Sequence, residues 1–313
     1  MSGKLSSILV AIGMLSVLLF SGCSPSADLS LKFSPDHTTA YKATSEVIRS
    51  YRFEQPNFGK LKEEQNEDLI EMSFTQTIQS VDADGNATAR ITINALKVDI
   101  IKKNKTKLSF DSQNEKDQNA PMAKLLGQSY TIKITPSGTV EVLDTKKAIA
   151  AVTSKYEKGV ATLILNSNNV ANRHGVPALP KNQTTGLSVE SSWSNLVPPL
   201  PDMFAPKSYE KTYTRTAIDD TIATIQMNAG ESADPAEGVQ PNMLNALAKM
   251  FDNTDDYTGT LKIDLATGEV LKSDETLVSI SLMQEMPENA DPEKGPDTLT
   301  MQFTHRIQLE KLD

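Results

Sequence analysis

The chain has 313 residues, of which 31 are Lys or Arg and 40 are Asp or Glu, and its formal net charge at pH 7 is −9. Proteins that bind DNA or RNA hold the phosphates with clustered Lys and Arg, so an acidic chain of this kind is not expected to bind nucleic acid. Aromatic residues make up only 5% of the sequence, which disfavours a carbohydrate site built from stacked rings.

The first 22 residues have the features of a secretory signal peptide. Lys4 is their single charged residue, and an apolar run of about 13 residues extends over 8–20. An α-helix needs roughly 20 apolar residues to cross the bilayer core, so this run is too short for a permanent span. We therefore expect residues 1–22 to be removed after export.

The end of this segment, LFSGC over 19–23, resembles the bacterial lipobox, in which small residues precede a cysteine that receives diacylglycerol. Phe20 departs from the aliphatic residue that is usual at its position. Cys23 is the only cysteine of the chain and lies where the motif requires it. The resemblance implies a lipoprotein that is held in the membrane by acyl chains, such as palmitate, on Cys23. Ser24 after it favours the outer membrane, with the protein facing the periplasm.

A polar tether over 23–30 leads into strands with alternating polarity. The first clear example has its apolar residues on one face, at Ile70, Met72, Phe74 and Ile78. A period of two residues is typical of a half-buried strand. The following segment 81–86 contains Asp84-Gly85, which favours a hairpin turn. The returning strand changes phase between Ile93 and Leu96, and this predicts a β-bulge at 94–96.

Further strands are predicted along the rest of the chain, over 38–52, 106–112, 129–135, 138–143, 208–217, 220–228, 257–265 and 268–283. The last strand is the clearest, because about 12 residues alternate strictly over 299–310. Helical patterns are few and short. One follows Asp144 and extends through Tyr156, one follows Asn242 and extends to Phe251, and 121–127 can add a turn or two.

These patterns predict a mainly β fold of the α+β type, with long antiparallel strands in a curved sheet or half-barrel and a few short inserted helices. Residues 31–313 are expected to form a single β-rich body. The segment 130–140 resembles 257–270, since each contains a strand, a turn with Gly and a second strand. An internal duplication, with halves near 31–196 and 207–313, is one interpretation; the other is that strand-turn-strand sequences look alike.

The motifs that carry chemistry in other proteins are incomplete here. The acidic turn 82–86 lacks the Gly and Glu that a calcium loop requires later in its sequence. Ser208 and Lys211 have a serine–lysine spacing that needs a helix, but they lie in a predicted strand. The histidines are about 130 residues apart, at His37, His174 and His305. We therefore expect no catalytic residue, no metal and no cofactor.

Long amphipathic strands, short inserted helices and a lipid anchor together resemble the half-barrel lipoprotein carriers LolA and LolB. This resemblance implies a sheet that cups an apolar cavity for acyl chains, with the helices as a lid. The repeated hairpins, Trp193 and the Pro-rich loop 197–206 also resemble uncharacterised envelope lipoproteins of planctomycete-type bacteria. The proteins of that group have no assigned activity.

Two hypotheses of function follow. In the first, a non-catalytic module binds a lipid or another hydrophobic ligand on an apolar face formed by Ile70, Met72, Phe74, Met301, Phe303, His305 and Ile307. The more conservative interpretation of these residues is a closed core between the sheet and its helices. In the second hypothesis, the protein is a structural or assembly component of the cell envelope that binds another protein. A hydrolase that combines Ser, Asp and His from different strands remains a third alternative.

Overall fold

The structure is a computed structural model, and it describes residues 28–180, 191–198, 200, 203, 207–232, 250–288 and 291–313. Cys23, the predicted signal peptide and most of the helix predicted after Asn242 lie outside these residues. Within the described part of the chain, no helix is both long enough and apolar enough to cross a bilayer.

Strands make up more than half of the described residues. They are β1 Thr38–Gln55, β2 Lys60–Val81, β3 Ala87–Lys102, β4 Lys105–Asp111, β5 Ser129–Ile134, β6 Val140–Asp144, β7 Ser192–Val197, β8 Tyr209–Asp219, β9 Ile222–Glu231, β10 Asp252–Asp264, β11 Glu269–Glu285 and β12 Asp297–Lys311. The α-helices are α1 Lys146–Ala151, α2 Lys155–Leu165 and α3 Ser167–His174. Short 3-10 turns occur at Pro56–Phe58, Glu115–Asp117, Pro121–Leu125 and Pro292–Lys294.

All twelve strands belong to one antiparallel sheet with the order β6-β5-β3-β2-β1-β12-β11-β10-β9-β8-β7, and β4 pairs with a separate part of β3. The first and last strands therefore lie side by side at the centre. The sheet is open, because its edge strands β6 and β7 do not pair with each other. The prediction of a mainly β fold with long antiparallel strands and a few short helices is confirmed, whereas β7 was not predicted.

The local predictions for the β2–β3 hairpin are also confirmed. Its turn is closed by a hydrogen bond from the Asp82 N–H to the Asn86 carbonyl at 2.9 Å. Gly85 has φ of +79°, a backbone conformation that glycine adopts without strain. Ser73 pairs with Ala95 and Phe74 with Ile93, so one residue of β3 is left over between them. The predicted bulge therefore lies where the phase change placed it.

The single helix predicted after Asp144 is wrong in extent, because three helices follow this residue. The Asp144 carboxylate accepts a hydrogen bond from the Lys146 N–H at 3.0 Å, and this helps α1 to begin. The chain becomes extended at Val152, and α2 begins again after Ser154. The sequence pattern missed α3, which follows Asn166 as its N-cap. The asparagine side chain accepts from the Asn169 N–H at 2.8 Å.

The helices cover one face of the sheet, which we call the inner face. It carries Met72 of β2, Leu309 of β12 and Leu261 of β10, and the strand pairings align these residues across the sheet. α1 packs against β5, and α3 packs against β6 and β12. The helices therefore lie over the part of the inner face that contains β5, β6 and β12, and α3 also reaches Phe74 of β2.

Candidate functional site

The first part of the predicted apolar face is a closed core. Met72 has no exposed surface, and Phe74 is buried beneath α3. The Phe74 ring contacts the His174 ring edge-on, with 4.7 Å between ring centroids. The Tyr130 hydroxyl lies 2.7 Å from His174 Nε2. Ile70 belongs to the same core and also borders a small cavity of about 50 Å³, and Phe74 borders another of about 40 Å³. These cavities are too small for an acyl chain, so this part of the face is essentially closed.

His174 is a structural residue in this core. Burial lowers the pKa of its imidazole well below the ordinary value, and the neighbouring Arg173 guanidinium lowers it further. A neutral imidazole at Nε2 can accept the hydrogen bond that the Tyr130 hydroxyl donates. The pair satisfies two buried polar groups, as a stable interior requires.

The second part of the predicted face lines a groove. Its volume is about 300 Å³, and it lies on the inner face near the end of β1 and the beginning of β12. Its apolar lining consists of Met301, Phe303 and Met203. The other walls are polar or aromatic: Arg49, Tyr51, Glu64, Asn66, Ser279 and Ser281. The groove thus has an apolar floor and a mixed rim.

His305 and Ile307 lie one and two inward-facing positions further along β12, beside a smaller cavity of about 50 Å³. Asn169, Asn172 and Arg173 of α3 form the other side of this cavity. The His305 ring faces Phe303, with 6.3 Å between ring centroids. Burial lowers the pKa of His305 to about 4, and the charges of Lys211 and Arg49 act in the same direction while Glu275 opposes them. His305 is therefore neutral at pH 7.

An ion pair lies on the inner face beyond His305, where the apolar pattern does not predict one. Lys211 Nζ is 2.6 Å from Glu275 Oε2, and only 5% of Lys211 is exposed. The same ammonium lies 4.6 Å from the centroid of the Tyr257 ring. The Tyr257 hydroxyl donates to the same carboxylate oxygen at 3.3 Å. Lys211 therefore has an anionic and an aromatic partner in one place.

A second buried ion pair extends this cluster. Asp255 Oδ2 is 2.8 Å from Lys207 Nζ and accepts a hydrogen bond from the Tyr209 hydroxyl at 3.2 Å. Burial raises the pKa of both Tyr209 and Tyr257, and the adjacent carboxylates raise it further. These phenols therefore stay protonated and act as hydrogen-bond donors. The sequence signal that could have revealed the cluster is the alternation of Tyr and basic residues along the inner face of β8, at Tyr209, Lys211, Tyr213 and Arg215.

The three histidines do not form one site, and the remaining motifs lie elsewhere. His37 donates to Glu269 at 2.6 Å and lines the same small cavity as His174, whereas His305 lies beside a different cavity. Within the part of the chain that the structure describes, no group of three His, Cys, Asp or Glu side chains is arranged to hold a metal ion. The acidic residues of 82–86 form the hairpin turn, and Lys211 of the serine–lysine spacing points to Glu275.

Comparison with known proteins adds no family. No protein-family model matches this sequence, and no curated protein matches it. A solved structure described as showing lipid–protein interactions in lipovitellin is similar over 90% of this chain, with 11% sequence identity and a TM-score of 0.45. The matched region is 26% of that chain, so the present protein spans about a quarter of its length. A likeness at this level carries no argument about function.

Proposed function

We propose that the protein is a non-catalytic, membrane-anchored binding module whose groove holds a lipid or another hydrophobic ligand. The observation that carries the proposal is the contrast between two sets of inward-facing residues. Met72 and Phe74 are sealed under helices, whereas Met301 and Phe303 face a groove of about 300 Å³. An apolar surface that the protein leaves accessible is a typical feature of ligand sites.

The dimensions of the groove restrict the ligand. Small-molecule sites usually have volumes of about 300–1,000 Å³, so this one is at the lower end of the range. It suits a single short acyl chain or a compact apolar molecule better than several chains together. Met203 and Met301 provide flexible, polarisable side chains that can adapt to ligands of slightly different shape.

The lipobox supports the second part of the proposal, which is anchoring through Cys23. Acyl chains contribute about 0.8 kcal/mol for each buried CH₂ group, and two or more chains hold a protein stably in a bilayer. Ser24 favours the outer membrane, and the signal peptide favours a periplasmic position for the β-rich body. Replacement of Cys23 by Ser should release the protein from the membrane fraction, as fractionation and immunoblotting would show.

The ligand proposal is tested by native mass spectrometry of the chain beginning at Ser24, secreted to the periplasm and measured before and after organic extraction. This chain retains every residue that the structure describes. A discrete additional mass that extraction removes as lipid is the expected result. Met301→Asp should abolish it, because a carboxylate on the groove floor opposes burial of an apolar chain. Ile280→Asp is the matched control, since Ile280 lies on the opposite face of β11.

A protein with no additional mass, and no binding of added decanoyl lipids, would contradict the ligand proposal. The second candidate function is then favoured, in which the protein binds another envelope protein. Its supporting observation is that, among the strands that the structure describes, β6 and β7 each pair on one side only. Leu143 on β6 and Leu196 on β7 are both exposed. Unpaired strand edges of this kind can add a strand from a partner.

A further inference from the structure

The N-terminal segment, which we define as residues 28–37, joins two distant parts of the curved sheet. The Leu31 N–H donates to the carbonyl of Pro136, in the β5–β6 turn, at 2.8 Å. A Cβ on Gly268, in the β10–β11 turn, would clash with the backbone nitrogen of the next residue, Lys32. Two consecutive residues of the segment therefore contact two different turns of the sheet.

These contacts show how strongly the sheet curves. Five strands lie between β5 and β10 in the sheet order. Neighbouring strands are about 4.8 Å apart, so the two turns would be separated by roughly 29 Å in a flat sheet. Consecutive Cα atoms of the segment are only about 3.8 Å apart. The two sides of the sheet therefore curl towards each other at this end, and the N-terminal segment closes the gap between them.

Little space remains where the segment crosses between the two sides. The cavity at this place has a volume of about 40 Å³ and is lined by Leu31 and Phe33 of the segment and by Ile134 and Val270 of the sheet. A space of this size admits water, but it is far smaller than the roughly 300 Å³ of the smallest common ligand sites. A lipid therefore does not enter the protein through this end.

The N-terminal segment is fixed in its position by burial and by hydrogen bonds. Leu29 and Leu31 are buried in the core. The Asp36 N–H donates to the Ile78 carbonyl at 2.9 Å, and the Ile78 N–H donates to the His37 carbonyl at 2.9 Å. The segment cannot move along the sheet without breaking these contacts, so the chain that precedes it joins the body at a defined place.

We call the end of the sheet that this segment closes the turn end. The Leu265 N–H donates to the Thr221 carbonyl at 2.7 Å, so the β8–β9 turn lies at the same end as the β10–β11 turn. The turn end is formed by four turns, over 82–86, 135–139, 220–221 and 265–268.

The groove lies far from the turn end along the strands. β1 begins at the turn end with Thr38, which pairs with Thr77 of β2. Further along β1, Arg49 pairs with Asn66 and with Phe303, and all three residues line the groove. Eleven residue steps separate Thr38 from Arg49, which correspond to about 36 Å at 3.3 Å per residue.

The proposed anchor is connected to the turn end by a short tether. Five residue steps join Cys23 to Asp28, and they span at most about 18 Å. The groove is about twice that distance from the turn end along β1. The net charge of −9 opposes an arrangement in which one side of the sheet lies flat on anionic lipids. The arrangement with the least protein surface near the bilayer is therefore favoured.

We infer that the protein stands on its turn end, with its strands steep to the anchoring bilayer and its groove held away from it. A ligand then enters the groove from the aqueous side and not from the bilayer that carries the protein. This inference rests on the proposed function, because it uses both the anchor on Cys23 and the groove lined by Met301 and Phe303.

The test measures energy transfer from a dye on the lipidated protein to an acceptor-labelled lipid, in vesicles of phosphatidylethanolamine and phosphatidylglycerol. The dye is attached at Asp84→Cys, in the β2–β3 turn, or at Lys60→Cys, at the other end of β2, and both positions are exposed. β2 has 22 residues, so the two dyes are about 70 Å apart along the strand. The lipid blocks the sulfur of Cys23, the only natural cysteine, so each protein carries one reactive thiol.

Transfer should be severalfold stronger from position 84 than from position 60, because its efficiency falls steeply with distance. Equal transfer from both positions would mean that the body lies along the bilayer. Stronger transfer from position 60 would mean that the groove end is closer to the bilayer. Either result would overturn the inference.

A longer tether provides the matched control. An insertion of about twelve Gly and Ser residues between Ala27 and Asp28 adds a flexible spacer of roughly 20 Å on average. Transfer from position 84 should then decrease, because the turn end is released from the bilayer surface. Unchanged transfer would show that surface contacts hold the protein on the bilayer, and the inference would fail.

The variant Cys23→Ser separates this inference from the proposed anchor. If the lipidated and Cys23→Ser proteins float with vesicles to the same extent, the anchor is wrong, and the inference fails with it. If only the lipidated protein floats but the two dyes give equal transfer, the anchor stands and the orientation alone is wrong. Absence of a ligand in the native mass spectra refutes the groove proposal independently of both results.

Discussion

The two parts of the inner face are both buried, but their side chains differ in polarity. The part formed by β1, β2, β3 and β5 is apolar and closed by α1–α3, with Met72 and Phe74 fully enclosed. The part formed by β8–β11 is also buried, but it carries Lys211, Arg215 and Glu275 among tyrosines. Both parts have the same two-residue alternation along their strands.

The difference shows what alternation specifies and what it leaves open. Alternation decides which side chains point inward, and it does so equally well for Met72 and for Lys211. Apolar side chains need only a cover, whereas buried charges need a partner within hydrogen-bonding distance. The groove lies beside β11 and β12, where the two kinds of surface meet, and its mixed lining follows from that position.

The largest effect on stability is expected when the ion pair between Lys211 and Glu275 is broken. Lys211→Met leaves the Glu275 carboxylate largely buried without its cation, and loss of one partner of a buried pair costs about 3–5 kcal/mol. The expected result is a decrease of this size in the free energy of unfolding. Urea titration followed by Trp193 fluorescence measures it, because the Trp193 ring stacks on Tyr213 of the same region at 6.0 Å between centroids.

The double variant Lys211→Met with Glu275→Leu provides the control. It removes both charges, so most of the stability should return if the loss comes from the uncompensated carboxylate. A double variant as unstable as the single one would mean that Lys211 acts mainly through packing. A loss below about 1 kcal/mol in the single variant would show that Glu275 is well hydrated.

The next effect separates the closed core from the groove. Met72→Ala removes a fully enclosed side chain and should cost about 2–5 kcal/mol. Met301→Ala removes the same atoms from a half-buried position on the groove, where no enclosed cavity forms, and should cost about 1 kcal/mol or less. Circular dichroism during urea titration gives both values. Equal losses would mean that the groove is filled in solution and that Met301 belongs to the core.

Much of the fold could be predicted from the sequence because strand patterns are local. The alternation over 299–310 and the Asp-Gly turn at 84–85 depend on residues that are close together in the chain. The helix α3 and the strand β7 were missed for the opposite reason. α3 buries Val170, Arg173 and His174 against distant strands, and β7 has no clear apolar face of its own. Both elements are specified by tertiary packing.

The candidate groove could be predicted only in part. Met301 and Phe303 were expected on one face, and the structure places them on the groove floor. The closed position of Ile70, Met72 and Phe74 depends on where the helices cross the sheet, which alternation does not encode. The pairing of Lys211 with Glu275 joins residues 64 positions apart. Such a contact depends on strand order and register, which no local pattern supplies.

The smallest of the three effects is a pH dependence at the boundary between the two regions. Burial lowers the pKa of His305 from 6.5 to about 4, so the folded protein keeps this imidazole neutral in a range where the unfolded chain protonates it. The unfolded state then binds more protons, and stability falls as the pH decreases from 6.5 to about 4. The contribution of His305 is on the order of 2–3 kcal/mol over that interval.

The measurement is the free energy of unfolding of the wild type and of His305→Gln between pH 7 and pH 4. His174 is also buried and neutral, and it contributes the same slope to both proteins. The difference between the two curves therefore reports His305 alone. As the pH falls, the wild type should lose more stability than the variant. Parallel curves would show instead that water reaches His305 through the small cavity beside it and that burial does not keep its imidazole neutral.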